Sequence, residues 1–93
     1  MKSDKSNKRV WFVTGASSGF GRAIVDDVLR RGDQVVAAVR NPESLADLKG
    51  RDDVMVVRLD VTKRDEIEAS VRAAMERFGH VDVLVNNAGY SIV

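Results

Sequence analysis

The chain contains no cysteine, one histidine and one proline, and only 5% of its residues are aromatic. Without cysteine there are no disulfide staples, no thiolate metal site and no cysteine nucleophile. A lone histidine, His80, leaves an all-protein zinc site without its usual ligands. No apolar run approaches the roughly 18 residues of a membrane-spanning helix, so none is expected. The N-terminus lacks the apolar core of a secretory signal, which makes a cytoplasmic location the expectation. Charge of one sign is scarce too, at a net +1 over 93 residues. That balance belongs to a short tail: residues 1–9 carry four basic groups and one acid, while the remaining 84 carry eleven basic and thirteen acidic groups. A flexible polar tail is expected over 1–9, and the folded part, 10–93, has no basic stripe for nucleic acid.

What is present fits a soluble globular chain of one domain at most, with 44% apolar and 31% charged residues. Four valine-rich runs, Val10–Thr14, Gln34–Val39, Val54–Leu59 and Val81–Val85, alternate with three amphipathic stretches. Most of the runs lack in/out alternation, as expected of parallel strands covered on both faces. Ile24, Val25, Val28 and Leu29 form the first helical stripe, stopped by Gly32. In the second connection Asn41 can cap, Pro42 suits the first helical position, Leu45 and Leu48 form an apolar edge, and Gly50 ends it. The third stretch starts at Thr62 with Asp65 three residues on, a capping-box-like pair. Its stripe is Ile67, Val71, Ala74, Met75 and Phe78, and Gly79 stops it. The order βαβαβαβ predicts α/β class, with parallel strands and right-handed crossovers.

Between the first strand and first helix lies Thr14-Gly15-Ala16-Ser17-Ser18-Gly19-Phe20-Gly21. Gly15 can make the sharp turn from strand to helix. The helix start presents unpaired N–H groups and a positive dipole end, which suit a pyrophosphate. Gly19 would let the backbone approach that anion, Gly21 would let the helix pack closely, and Ser17 and Ser18 add hydroxyl donors. A Walker-type loop is excluded, because the loop ends Gly-Phe-Gly instead of Gly-Lys-Ser/Thr. A dinucleotide fold usually places an acid at the end of the second strand, against the adenosine ribose. Here the strand ends Val39-Arg40-Asn41. The guanidinium of Arg40 matches a 2′-phosphate, which argues for NADP(H) over NAD(H).

With these residues the chain resembles the short-chain dehydrogenase/reductase family. Thr14-Gly15-x3-Gly19-x-Gly21 looks like its TGxxxGxG cofactor loop, Asp60-Val61 like its adenine-pocket aspartate and neighbour, and Asn86-Asn87-Ala88-Gly89 like its NNAG motif. The resemblance covers Val10 onward. It implies a Rossmann-type doubly wound sheet, here its first half, with strand order 3-2-1-4. It implies that Asp60 contacts the adenine edge, Val61 packs on the ring, and Asn86, Ala88 and Gly89 line the cofactor cleft while Asn87 ties strands together. The implied activity is hydride transfer between nicotinamide and a carbonyl or secondary alcohol. The implied general acid is the tyrosine of a downstream Tyr-x-x-x-Lys motif, aided by a serine. Tyr90, the only tyrosine, sits directly after the cofactor motif and reads as a cleft-lining or packing residue. No residue is therefore assigned a catalytic role, and none a metal. The expected partners are a dinucleotide and a small carbonyl or alcohol substrate, with no nucleic acid or membrane, and a homo-oligomer when complete.

Two readings stay open: a non-catalytic nucleotide-binding module on the same loop, and a methyltransferase, against which Asn86-Asn87-Ala88-Gly89 counts. Under the expected strand order the last strand is an edge and part of the sheet lies uncovered, so the isolated chain is expected to be marginal or self-associating. Trp11, Phe12, Met75 and Phe78 read as core, His80 as a loop or C-cap residue, and Arg22 as exposed on the helix surface.

Overall fold

Val10–Thr14 (β1) and Gln34–Val39 (β2) lie at the centre of the sheet, and both have the bounds the valine runs predict. In the computed structural model, which describes residues 8–87, β2 is buried from Val35 to Val39. Val54–Arg58 (β3) flanks β2, and Val83–Val85 (β4) flanks β1. All pairings are parallel, and the order is β3-β2-β1-β4. Both flanking strands are shorter than their apolar runs. Leu59 still donates to the Val39 carbonyl at 2.8 Å but turns into the core beyond β3. At the start of β4 the Asp82 carboxylate takes the Val10 N–H at 2.8 Å, so a side chain replaces a strand carbonyl and the ladder begins later. His80 pairs with the same carboxylate at 2.9 Å.

Helix α1, Gly19–Arg30, covers one face together with a 3-10 segment, Pro42–Leu48. They enclose Val13, Val25, Val28, Val35, Ala37, Val39, Leu45 and Leu48. Each fully buried valine or leucine contributes on the order of 1.5–3 kcal/mol relative to exposure. The second connection is thus a 3-10 turn rather than a regular helix, broken at Leu45 (φ −118°, ψ 31°). Asn41 does cap it, accepting the Glu43 N–H at 3.2 Å. With only seven residues there is no room for several α-turns before Gly50.

Helix α2, Arg64–Phe78, lies on the opposite face against Val10, Phe12, Val36, Ala38 and Leu59. Its expected start fails: Lys63 is the cap position, with no side-chain cap bond. Thr62 instead donates its hydroxyl and N–H to Asp60, at 2.6 and 3.0 Å. Its stripe is only partly used. Ala74 is buried, but Ile67, Val71 and Met75 stay 38–44% exposed, because no described element packs on that side. Met75 is therefore not core. Phe12 is core, whereas Trp11 is half-buried, its indole N–H bonded to Asp33 at 3.2 Å. Arg22 is not a free surface group. It pairs with Asp26 at 3.0 Å and Asp47 at 2.6 Å, strapping α1 to the 3-10 segment.

Candidate functional site: a cleft at the carboxyl ends of the strands

At the carboxyl end of β1 the chain turns at Gly15, whose φ of 64° lies in the left-handed region that a side chain would strain. Ser18 then caps α1, accepting the Gly21 N–H at 3.3 Å and donating to the Gly15 carbonyl at 2.9 Å. Asn87 Nδ2 donates to that hydroxyl at 3.0 Å and to the Gly15 carbonyl at 3.2 Å. One hydroxyl proton and two lone pairs are thereby engaged, so Ser18 is committed to the loop rather than left as a donor. Ser17 is exposed.

The end of β4 is tied to the same loop. Asn87 donates its N–H to Thr14 Oγ1 at 2.8 Å, and that hydroxyl faces Asn86 Oδ1 at 3.2 Å. A β-carbon on Gly21 would overlap the Gly15 carbonyl oxygen and meet Asn87 Nδ2 at 3.0 Å. The close packing read from Gly21 is therefore against the loop and the β4 end. A β-carbon on Gly19 would meet nothing within 4 Å. Gly19 faces open space, and the N–H groups of Gly19 and Phe20 find no acceptor among the described residues.

Beside this loop opens a cleft of about 460 Å³, bounded by Gly15, Ser17 and Ser18 on one side. Arg40, Asn41 and Ser44 after β2, and Asp60, Val61 and Thr62 after β3, complete it. That volume is within the roughly 300–1,000 Å³ of small-ligand sites. Arg40 is exposed, and its side chain makes no hydrogen bond or ion pair among the described residues. The Thr62 hydroxyl and N–H hold the Asp60 carboxyl below the usual carboxylate range. Asp60 thus stays ionised, with Oδ1 engaged by Thr62.

Six of the sequence-derived site residues line this cleft: Gly15, Ser17, Ser18, Arg40, Asp60 and Val61. Gly19 and Gly21 shape the loop beside it. Phe20 projects elsewhere, 72% exposed, into a groove with Trp11, Ile24 and Val85. Asn86 stands at the end of β4 outside the cleft lining. Ala88, Gly89 and Tyr90 lie outside the described residues. Asn41, Ser44 and Thr62 were missed; the position of Asn41 directly after Arg40 and of Thr62 directly after Val61 was a signal, whereas Ser44 is brought in by the 3-10 segment. Among the described residues no cluster of acidic or histidine side chains could hold a metal ion, and no helix is long and apolar enough to cross a membrane.

The family model for short chain dehydrogenases matches residues 9–93. The chain belongs to the short-chain dehydrogenase family. It is 43% identical over 86 residues to oxidoreductase BOA17 of Botryotinia fuckeliana, covering 89% of this chain and 31% of that protein. It is 46% identical over 87 residues to 2-(R)-hydroxypropyl-CoM dehydrogenase of Xanthobacter autotrophicus, covering 87% of this chain and 35% of that one. A short-chain dehydrogenase structure from Streptomyces avermitilis superposes with a TM-score of 0.84 at 45% identity, over 91% of this chain and 32% of the other. A 3-ketoacyl-(acyl-carrier-protein) reductase from Brucella melitensis, solved with NADH, gives 0.76 at 33% identity, over 82% and 32%. The chain therefore spans about a third of the length of these relatives. The strand order β3-β2-β1-β4 is that of a Rossmann-type sheet, and members of this family bind a nicotinamide dinucleotide.

Proposed function

We propose that this short-chain dehydrogenase chain is the NADP(H)-binding part of an oxidoreductase acting on a carbonyl or secondary-alcohol substrate. The observation that carries the cofactor choice is Arg40. It is exposed at the cleft rim, its side chain in no hydrogen bond or ion pair among the described residues, at the strand end where an acid would favour an unphosphorylated ribose. The donor set fits a dinucleotide. Two free N–H groups at the start of α1, the open side of Gly19 and the Ser17 hydroxyl suit a pyrophosphate. Asp60 Oδ2 is left to accept from the adenine amino group, and Val61 offers an apolar wall for the ring. When bound, the nicotinamide supplies the hydride; the described residues bind and orient the cofactor.

The test is titration of the intact protein with NADPH and NADH, before and after Arg40→Asp. NADPH affinity should fall by at least about ten-fold, the equivalent of one charge-assisted hydrogen bond, with a much smaller change for NADH. Equal losses for the two cofactors would remove Arg40 from the 2′-phosphate site.

A further inference from the structure

The two walls of the cleft after β2 and β3 are connected through Glu66. This residue stands at the third position of α2, where a glutamate commonly reaches back to the cap residue's N–H. Here it reaches further. Its Oε1 accepts the backbone N–H of Asp60 at 2.9 Å, three residues before the Lys63 cap. Its Oε2 lies 3.9 Å from Arg58 Nε, an ion contact too long for a hydrogen bond. Arg58 in turn donates from Nη1 to the main-chain carbonyl of Arg40 at 3.3 Å. The Glu66 side chain is only 27% exposed, whereas Arg58 is 61% exposed. The bond to Asp60 is thus the stronger link and the contact to Arg58 the weaker.

We propose that Glu66 is a positioning residue for the nucleotide cleft, holding the Asp60 wall directly and, through Arg58, the backbone that carries Arg40. The inference rests on the cofactor reading above. Without Glu66 the Asp60 N–H loses its only acceptor among the described residues, and the turn that aims the Asp60 carboxylate and Val61 is left to the Thr62 bonds and the Lys63 N–H on the Asp60 carbonyl. Both cofactors share that adenine wall, so both should feel its loss. The Arg58 strap concerns only the strand end bearing Arg40, so its loss should fall on the cofactor with a 2′-phosphate.

The experiment compares NADPH and NADH dissociation constants for the intact wild-type protein, Glu66→Ala, Glu66→Gln and Arg58→Met, together with amide hydrogen exchange at Asp60. Glu66→Ala should weaken both cofactors by about ten-fold, the equivalent of one hydrogen bond to a charged group, and NADPH by slightly more than NADH because the exposed contact to Arg58 is also lost. It should also speed exchange at Asp60. Glu66→Gln keeps the acceptor and should stay within about two-fold of wild type, since the exposed contact to Arg58 is worth little. Arg58→Met should weaken NADPH by about three-fold more than NADH. The proposal is overturned if Glu66→Ala lowers thermal stability yet binds both cofactors like wild type, if Glu66→Gln loses as much as Glu66→Ala, or if Arg58→Met affects both cofactors equally. Wild-type protein that binds neither cofactor would instead overturn the cofactor reading, and this inference with it.

Discussion

Replacing Gly21 with alanine separates two uses of glycine in one loop. In an ordinary helix position the change would stabilise by about 1 kcal/mol, because alanine has the better propensity. Here the new β-carbon would overlap the Gly15 carbonyl oxygen, and that oxygen cannot easily move. It belongs to a residue held at a φ of 64° and already accepts from Ser18 and Asn87. Overpacking of this kind costs about 1–3 kcal/mol. Relief by shifting the loop would also strain the Ser18 cap and the Asn87 bonds, at about 1 kcal/mol each. After the propensity gain is subtracted, the expected loss is about 2–4 kcal/mol. Gly19→Ala is the control, since its β-carbon meets nothing within 4 Å and its stability should stay within about 0.5 kcal/mol of wild type. Urea unfolding of the intact protein, followed by the fluorescence of Trp11 (the only tryptophan in this chain), measures both. Nucleotide titration should show the complementary pattern, with Gly19→Ala folded but weakened in binding. A Gly21→Ala protein as stable as wild type would refute the steric argument.

Thr62→Val should raise the Asp60 carboxyl toward its ordinary value, because the hydroxyl is the main cause of its lowered pKa; an unchanged NMR titration would contradict that. Since the folded-state value is depressed, Asp60 adds stability above the unfolded pKa of about 3.9, and this is lost as pH falls through the folded value. Removing Thr62 should therefore flatten the acid limb of the stability curve. Asp47→Ala should cost little, because the Arg22–Asp47 pair is largely exposed, with Asp47 at 60%; a large loss on thermal unfolding would mean that the strap from α1 to the 3-10 segment carries more than its charge pair. The isolated 93-residue chain should self-associate through its apolar exposures, with Leu84 65% exposed on the edge strand and Ile67, Val71 and Met75 along α2. Leu84→Lys with Met75→Lys should shift it toward monomer in sedimentation velocity, and a monodisperse wild-type monomer would refute this.

Much of the architecture was legible because it depends on local pattern. Valine runs without alternation mark strands covered on both faces, and a helix between each pair favours parallel pairing, so class and the bounds of β1 and β2 follow from residue spacing, whereas the strand order came only from the family resemblance. The turn at Gly15 was legible for the same reason, since a left-handed turn is chemistry of adjacent residues, whereas Ser18, read as a donor to the anion, is instead the cap of α1. Contacts between residues distant along the chain were decided only by the tertiary structure. Thr62 bonds Asp60 instead of capping α2, and Asp82 shortens β4 by taking the Val10 N–H. Gly21 packs on Gly15 and Asn87, and Glu66 reaches back to Asp60. Periodicity says which face of α2 is apolar, but whether Met75 on that face is buried depends on what else packs there, and no described element does. Spacing selects the element, whereas burial and hydrogen-bond partners are settled by competition among groups that only folding brings within a few ångströms of one another.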